Sequence, residues 1–493
     1  MQTDNSKNTL IIYDDRAPVT DQIARYVGQR SYGDIWFRNQ SLYDSVVGML
    51  PEWAAHRIIR VTSNTVLGLP YTALPQLADA ETVIVLAASG APTDAATLKA
   101  VIERVVLARD NVIDRPREPL FRYFKSVAEF IDTWEAFKTT PLHILREPIA
   151  DAKVLASPGP LEDISESANF LDFMAGATTP RGFNRMRAAD IIYTKQSEDK
   201  AKIRAEHDYY RLLPEEMKHW FVGAFGYEEK NGIAEYKMPR RYMADAAIQW
   251  IHSAWSERDF RLFLERILYF LENRPEKKVG SEDVEKVARD LFEHKVRRRQ
   301  AELMASPIGA SVSRFVSTAT GENRLQGVFD KYFRLMERNW SAIKGDNKLV
   351  IGHGDPCLSN ILYDKSNLLL QLIDPKGALT EADLWTHPLY DYCKLSHSIL
   401  GDYDLINNKK FTVLLDPSAN VELKVFGPQN AVFKQIFRSE LKPLVSYKAL
   451  RLGEASLFLS MMPLHVDHAD KVAAFLLRAE SILSEIESNG GVV

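Results

Sequence analysis

The chain has 493 residues, 46% hydrophobic and 26% charged, with a net charge of −4 and two cysteines. That length exceeds one core and predicts about two to four domains, while the slightly acidic balance excludes the basic footprint of a nucleic-acid binder. Cys357 and Cys393 lack metal-ligand spacing and form no disulfide framework, no apolar run reaches the roughly 18 residues of a membrane span, and the N-terminus has no leader pattern, so a cytoplasmic location is expected.

Four apolar runs, TLIIYDD (9–15), DIWFRN (34–39), RIIRVTS (57–63) and ETVIVLAAS (81–89), alternate with helical patterns such as VTDQIARYVGQ and LYDSVVGML. Strands alternating with helices predict a Rossmann-like, mostly parallel α/β sheet over residues 1–155. DAATLKAVIERVVLA (94–108) predicts an amphipathic helix. Ligands of such sheets bind at the carboxyl ends of the strands, where the chain offers Asp14, Asp15 and Arg16, then Thr62, Ser63 and Asn64. No Gly-x-Gly-x-x-Gly follows the first strand, so a dinucleotide fingerprint is absent. The polar tips read foremost as caps and turns.

The Pro- and Ser-rich stretch 139–167 marks the expected domain boundary. FLDFMAGATTPRGFNRMRAADIIYTKQS is expected to form a strand, a loop, and one long or two paired strands. Ser197 is the expected N-cap of a helix ending near Pro214, and HWFVGAFGYEEKNGIAEYKMP predicts a hairpin turning at Asn231-Gly232. From about 245 helical patterns dominate; the basic run HKVRRRQ (294–300) reads as a solvated helix face. The expected plan is a small lobe at 165–244 and a large helical lobe at 245–493.

Within the helical part, VIGHGDPCLSNILYD (350–364) sets an acid, Asp355, and an amide, Asn360, between two strand-like flanks. An ionised Asp can accept a proton from an attacking hydroxyl. Asn ligates a divalent ion without adding charge, and the strand LLLQLIDPKGA delivers Asp374, whose carboxylate suits Mg²⁺. An acid beside a hydroxyl with Asn and Asp on a metal is a minimal apparatus for phosphoryl transfer.

HGDPCLSN followed by LIDPKG resembles the His-Gly-Asp-x-x-x-x-Asn and later Asp of aminoglycoside phosphotransferases, choline kinases and their relatives, which have the protein-kinase-like fold. The resemblance covers about residues 165–490. It implies Asp355 as the catalytic acceptor, His353 as a brace of its loop, Asn360 and Asp374 as metal ligands, and ATP and Mg²⁺ as cofactors. Asp391 in HPLYDYCKLSHS is expected to brace the catalytic loop. Lys195 at a strand end would meet the α- and β-phosphates, fixed by Glu206 on the following helix, with Lys200 and Lys202 as rivals. AEYKMP (234–239), with Tyr236 and Met238, falls where the backbone would meet adenine. MAGATTPRGF offers Gly176 and Gly182 without the glycine-rich motif of protein kinases, which favours the small-molecule branch. His465, Asp467 and His468 read as the approach to a helix rather than as metal ligands.

The expected activity is ATP- and Mg²⁺-dependent transfer of a γ-phosphoryl group to a hydroxyl of a polar metabolite such as a sugar, polyol or amino alcohol, possible in sugar activation or surface-glycan biosynthesis. Two other readings stand beside it: a non-catalytic nucleotide sensor or scaffold, and a nucleotidyl- or glycosyltransferase-like N-terminal domain with Asp14 or Asp15 on a metal.

Overall fold

The structure is a computed structural model that describes residues 8–64, 74–137, 151–155, 159–175, 184–189, 191–317, 323–415, 420–427 and 431–488. The chain divides into two compact units, Met1–Thr179 and Pro180–Val493.

In the first unit the strands are β1 (Thr9–Asp15), β2 (Trp36–Phe37), β3 (Gln40–Ser41), β4 (Ile58–Thr62), β5 (Thr82–Ala87), β6 (Gly90–Pro92), β7 (Val112–Ile113), β8 (Phe121–Phe124), β9 (Lys153–Val154) and β10 (Leu161–Asp163). The main sheet has the order β4-β1-β5-β8-β7-β9. β1 is parallel to both neighbours, as its apolar runs predict. β8, however, is antiparallel to β5 and β7, so the sheet is mixed, with β8 reversed against five strands that share one direction. The short connection from Ile113 to Phe121 explains this, because a parallel return needs a crossover of about a dozen residues or more. DIWFRN does not join the sheet: Arg38 and Asn39 both take positive φ (47° and 69°) and fold it back as the β2–β3 hairpin.

One face of the sheet buries Leu10, Ile12, Val61, Val83, Val85 and Phe124 against Leu74, Leu77, Val127 and Phe130. The helix Ala95–Val105 starts at Asp94, whose side chain accepts the Thr97 N–H. Two expectations change further along. The Pro- and Ser-rich stretch supplies β9 and β10 to this unit, which runs on to Thr179. Ser167–Ala175 is a helix, not a strand, because Phe170, Leu171 and Met174 share one buried helical face. Gly176 and Gly182 lie outside the described residues.

The second unit opens with β11 (Asn184–Ala189), β12 (Ile192–Ser197), β13 (Phe225–Lys230) and β14 (Ile233–Pro239), an antiparallel sheet in the order β11-β12-β14-β13. Asn231 and Gly232 turn the β13–β14 hairpin with φ of 53° and 83°. The helix Lys200–Leu212 packs on this sheet. Its N-cap is Asp199, which accepts the Lys202 N–H, whereas Ser197 is still in the ladder opposite Ala234.

Helices then dominate, among them Glu257–Glu272, Arg324–Arg338, Pro388–Ile399, Tyr447–Met461 and Ala469–Ser488. Tyr447–Met461 is buried along most of its length and forms the centre of this part. Arg297 and Arg299 of the basic run pair with Glu293 and Glu302 on the helix surface. Among the helices run β15 (Glu276–Lys278), β16 (Lys348–Ile351), β17 (Ile361–Asp364), β18 (Leu369–Leu372) and β19 (Trp385–Thr386), in sheets β15-β16-β19 and β17-β18. Among the described residues no helix is long and apolar enough to cross a membrane.

Candidate active site

β16 ends at Ile351, and the chain crosses Gly352 to Asn360 before entering β17, so the acid and the amide do sit on a loop between two strands. Gly354 allows the sharp turn with φ of 81°. Buried Asp391 accepts the backbone N–H groups of His353 and Gly354, both at 2.9 Å, and is paired with Arg274 at 2.7 Å. Tyr209, from the Lys200–Leu212 helix, donates to the Gly352 carbonyl at 2.9 Å.

His353 holds the loop from within. Its Nε2–H donates to the Ile373 carbonyl at 2.9 Å, and its Nδ1 accepts the Asp355 N–H at 3.1 Å. Both partners fix the neutral tautomer, and burial keeps the imidazole below its ordinary pKa. The ring also stacks on Phe221.

Asn360 donates its amide N–H to the Asp355 carbonyl at 2.8 Å, which leaves the amide oxygen as an acceptor. The Asn360 carbonyl in turn receives the Ile373 N–H, next to Asp374. Asp374 stands just past β18 with a φ of 55°, a conformation that costs energy for a non-glycine residue. Lys376 N–H closes the turn onto the His353 carbonyl at 2.9 Å. Gly377 then passes so close to the Lys200–Leu212 helix that a Cβ there would meet Ala205 at 2.9 Å.

The upstream charges converge on the same place. Lys195 Nζ is 2.7 Å from Glu206 Oε2 and 2.9 Å from Asp374 Oδ1. Burial alone would lower the Lys195 ammonium, but Asp374 and Glu206 outweigh it and raise its pKa. Burial pushes the Glu206 carboxyl up, opposed chiefly by Lys195. The rivals lie elsewhere: Lys200 pairs with Glu229 at the surface, and Lys202 reaches Glu206 only at 3.8 Å from an exposed position.

β14 is an interior strand that pairs with β12 along its length and with β13 as far as Lys237, so Met238 pairs with β12 alone. Tyr236 and Met238 point into the apolar cluster with Ile203 and Val222, and Tyr236 Oη donates to Glu206 at 3.2 Å. Tyr236 therefore acts on the ion pair. The backbone that leaves the sheet is Arg240–Ala244.

Lys394 was not apparent from the sequence. Its Nζ is 2.9 Å from Asp355 Oδ1, and its side chain is only 11% exposed. It sits one turn after Asp391 in the Pro388–Ile399 helix, and that spacing is the signal that places both on one helical side. Burial alone would lower the Lys394 ammonium, but Asp355 holds it raised. Cys357 is a buried thiol whose pKa burial pushes up.

The other candidates do not assemble into metal centres. His465 is buried edge-on against Phe475. Asp14 is forked by Arg16, and Asp15 by Arg60 with the Gly33 N–H. Among the described residues no group of three or more His, Cys, Asp or Glu side chains is arranged to hold a metal.

A buried Lys–Glu pair beside an Asp turn, with a His-Gly-Asp loop ending in Asn, resembles the protein-kinase-like phosphotransferases. Solved structures similar to the chain are a thermostable mutant of aminoglycoside phosphotransferase APH(4)-Ia (10% identity, 66% of this chain and 99% of that one, TM-score 0.36), the type VIII aminoglycoside-3'-phosphotransferase (13%, 56% and 93%, 0.29), and APH(3'')-Id of Streptomyces rimosus with ADP and streptomycin (14%, 60% and 97%, 0.31). No family model and no curated protein matches the sequence. At these identities and TM-scores the functional reading rests on the chain's own residues.

Proposed function

We propose that Pro180–Val493 is an ATP- and Mg²⁺-dependent small-molecule kinase that transfers the γ-phosphoryl group to a hydroxyl of a polar metabolite such as a sugar, polyol or amino alcohol. The observation that carries this reading is the convergence of Lys195 on Glu206 and Asp374, on a turn bonded to the loop of Asp355 and Asn360. Asp374 and Asn360 would hold the Mg²⁺. The donor set fits: one Asp374 oxygen is engaged by Lys195, no described residue donates to the other, and the Asn360 amide oxygen is an acceptor, so hard oxygen ligands are offered. The ion, when bound, neutralises phosphate charge.

In this reading Lys195 meets the α- and β-phosphates, held by Glu206. Asp355 orients the acceptor hydroxyl and takes its proton as the oxygen attacks phosphorus in line. His353 and Asp391 fix the loop, and Arg240–Ala244 offers backbone to the base. A chain drawing on ATP in this way would work in the cytoplasm.

Calorimetric titration of ATP with and without Mg²⁺ tests the proposal. Binding that needs Mg²⁺ and fails in Asp374→Ala is expected, and Asp355→Asn should bind ATP yet lose transfer in a screen of hydroxylated metabolites. Absence of ATP binding by the wild type would overturn it.

A further inference from the structure

Three arginines of the first unit invite comparison. Arg16 and Arg60 each direct Nε–H and an Nη2–H to a carboxylate, Asp14 and Asp15 respectively. Arg122 is 2% exposed, and the same two atoms, Nε and Nη2, find no acceptor among the described residues. These two N–H groups form one planar fork, the edge that binds carboxylate or phosphate with two parallel hydrogen bonds.

Register puts Arg122 two residues short of the sheet's carboxyl edge. Arg122 lies opposite Val85 of β5, which lies beside Ile12 of β1. Strand alternation then sets Asp14 and Ala87 on the same face, one step nearer the carboxyl ends of the parallel strands. Arg122 is within electrostatic reach of Asp14 and Asp114. Both carboxylates are already engaged: Asp14 by Arg16, and Asp114 by the Leu120 and Phe121 N–H groups and by Arg115. Three guanidinium groups thus face two carboxylates, and one buried positive charge remains. Burial pulls the Arg122 guanidinium down only to about 10, so it stays charged at neutral pH. A buried charge with unfilled donors is costly, and the carboxyl edge of an α/β sheet is where ligands enter.

We infer that Arg122 anchors an oxyanion site in the first unit, taking a phosphate or carboxylate group of a small-molecule ligand through Nε–H and Nη2–H. This inference is independent of the kinase reading.

The test is calorimetry on the full chain in low salt with EDTA, using inorganic phosphate, pyrophosphate and malonate as probes. At least one probe is expected to bind saturably to the wild type and to Lys195→Met, and to weaken about ten-fold or more in Arg122→Gln. The stronger of the phosphate and malonate arms identifies the group. Should Arg122→Gln fail to fold, Arg122→Lys keeps the charge without the fork and should also weaken binding. Failure of every probe to bind the wild type, or unchanged affinity in the folded Arg122 variant, would overturn the inference.

Discussion

Lys394 Nζ lies 2.9 Å from Asp355 Oδ1, joining the Pro388–Ile399 helix to the acid of the HGD loop. Asp355 is 43% exposed while Lys394 is 11% exposed, so the ammonium approaches the carboxylate from the protein side. A fixed cation behind the acid holds its orientation, which the proposed transfer requires. Lys394→Met is therefore expected to lower kcat about 10²-fold with little change in the KM for ATP. Lys394→Arg should recover part of the loss. Equal loss in both variants, or a change confined to KM, would remove the positioning role.

The Lys195–Glu206 pair has a second support in Tyr236, whose hydroxyl donates to the same carboxylate. Glu206→Gln should weaken Mg²⁺-dependent ATP binding by about ten-fold or more, because the buried ammonium loses its nearest anion. Tyr236→Phe removes one neutral donor and should cost less than about three-fold. Titration calorimetry of the two variants decides between this ranking and a direct base contact by Tyr236, which would make the tyrosine the more damaging change.

Asp391 neutralises buried Arg274 while accepting the backbone N–H groups of His353 and Gly354 in the HGD loop. Removing it by Asp391→Ala leaves a buried cation without its partner, which costs about 3–5 kcal/mol. Urea denaturation should register that loss, and a shift under about 1 kcal/mol would mean that surrounding groups compensate.

Much of this site was legible because its chemistry is local. Asp355, Asn360 and Asp374 lie within one strand–loop–strand–turn passage, and Lys195 and Glu206 on consecutive elements, so chain order alone suggests their meeting. Lys394 was hidden because its partner is met only through packing of a distant helix, and a lysine on a helix normally reads as surface. The β8 inversion and the helix Ser167–Ala175 were missed for related reasons. A short apolar run does not encode its direction in a sheet, and FLDFM fits a strand until burial selects one helical face. The burial of Tyr236 was hidden for another reason: only the packing of β14 reveals which of its side chains face the apolar cluster.

Gly377 has a φ of 94°, and a Cβ there would meet Ala205 at 2.9 Å and the Glu206 nitrogen at 3.0 Å. Gly377→Ala must push the Asp374 turn away from the helix that carries Glu206. Strain of about 1–3 kcal/mol is expected, with a fall in kcat of about 10²-fold from misplacing Asp374. A stable, fully active variant would mean that the turn and the helix move independently.

Asp404 is buried, and burial raises its carboxyl to about 7, with Asp355 adding to the rise and a Ser398 hydrogen bond opposing it. In the unfolded chain the group titrates near 4. Between those values the folded protein binds more protons than the unfolded one, so stability falls as pH rises from about 4 to 7 and the loss is complete above 7. Asp404→Asn removes this titration. The variant should gain stability relative to wild type by about 2–4 kcal/mol at pH 8 and by much less at pH 5. Paired urea midpoints at the two pH values measure the difference, and an identical offset at both would show that Asp404 does not carry the buried proton.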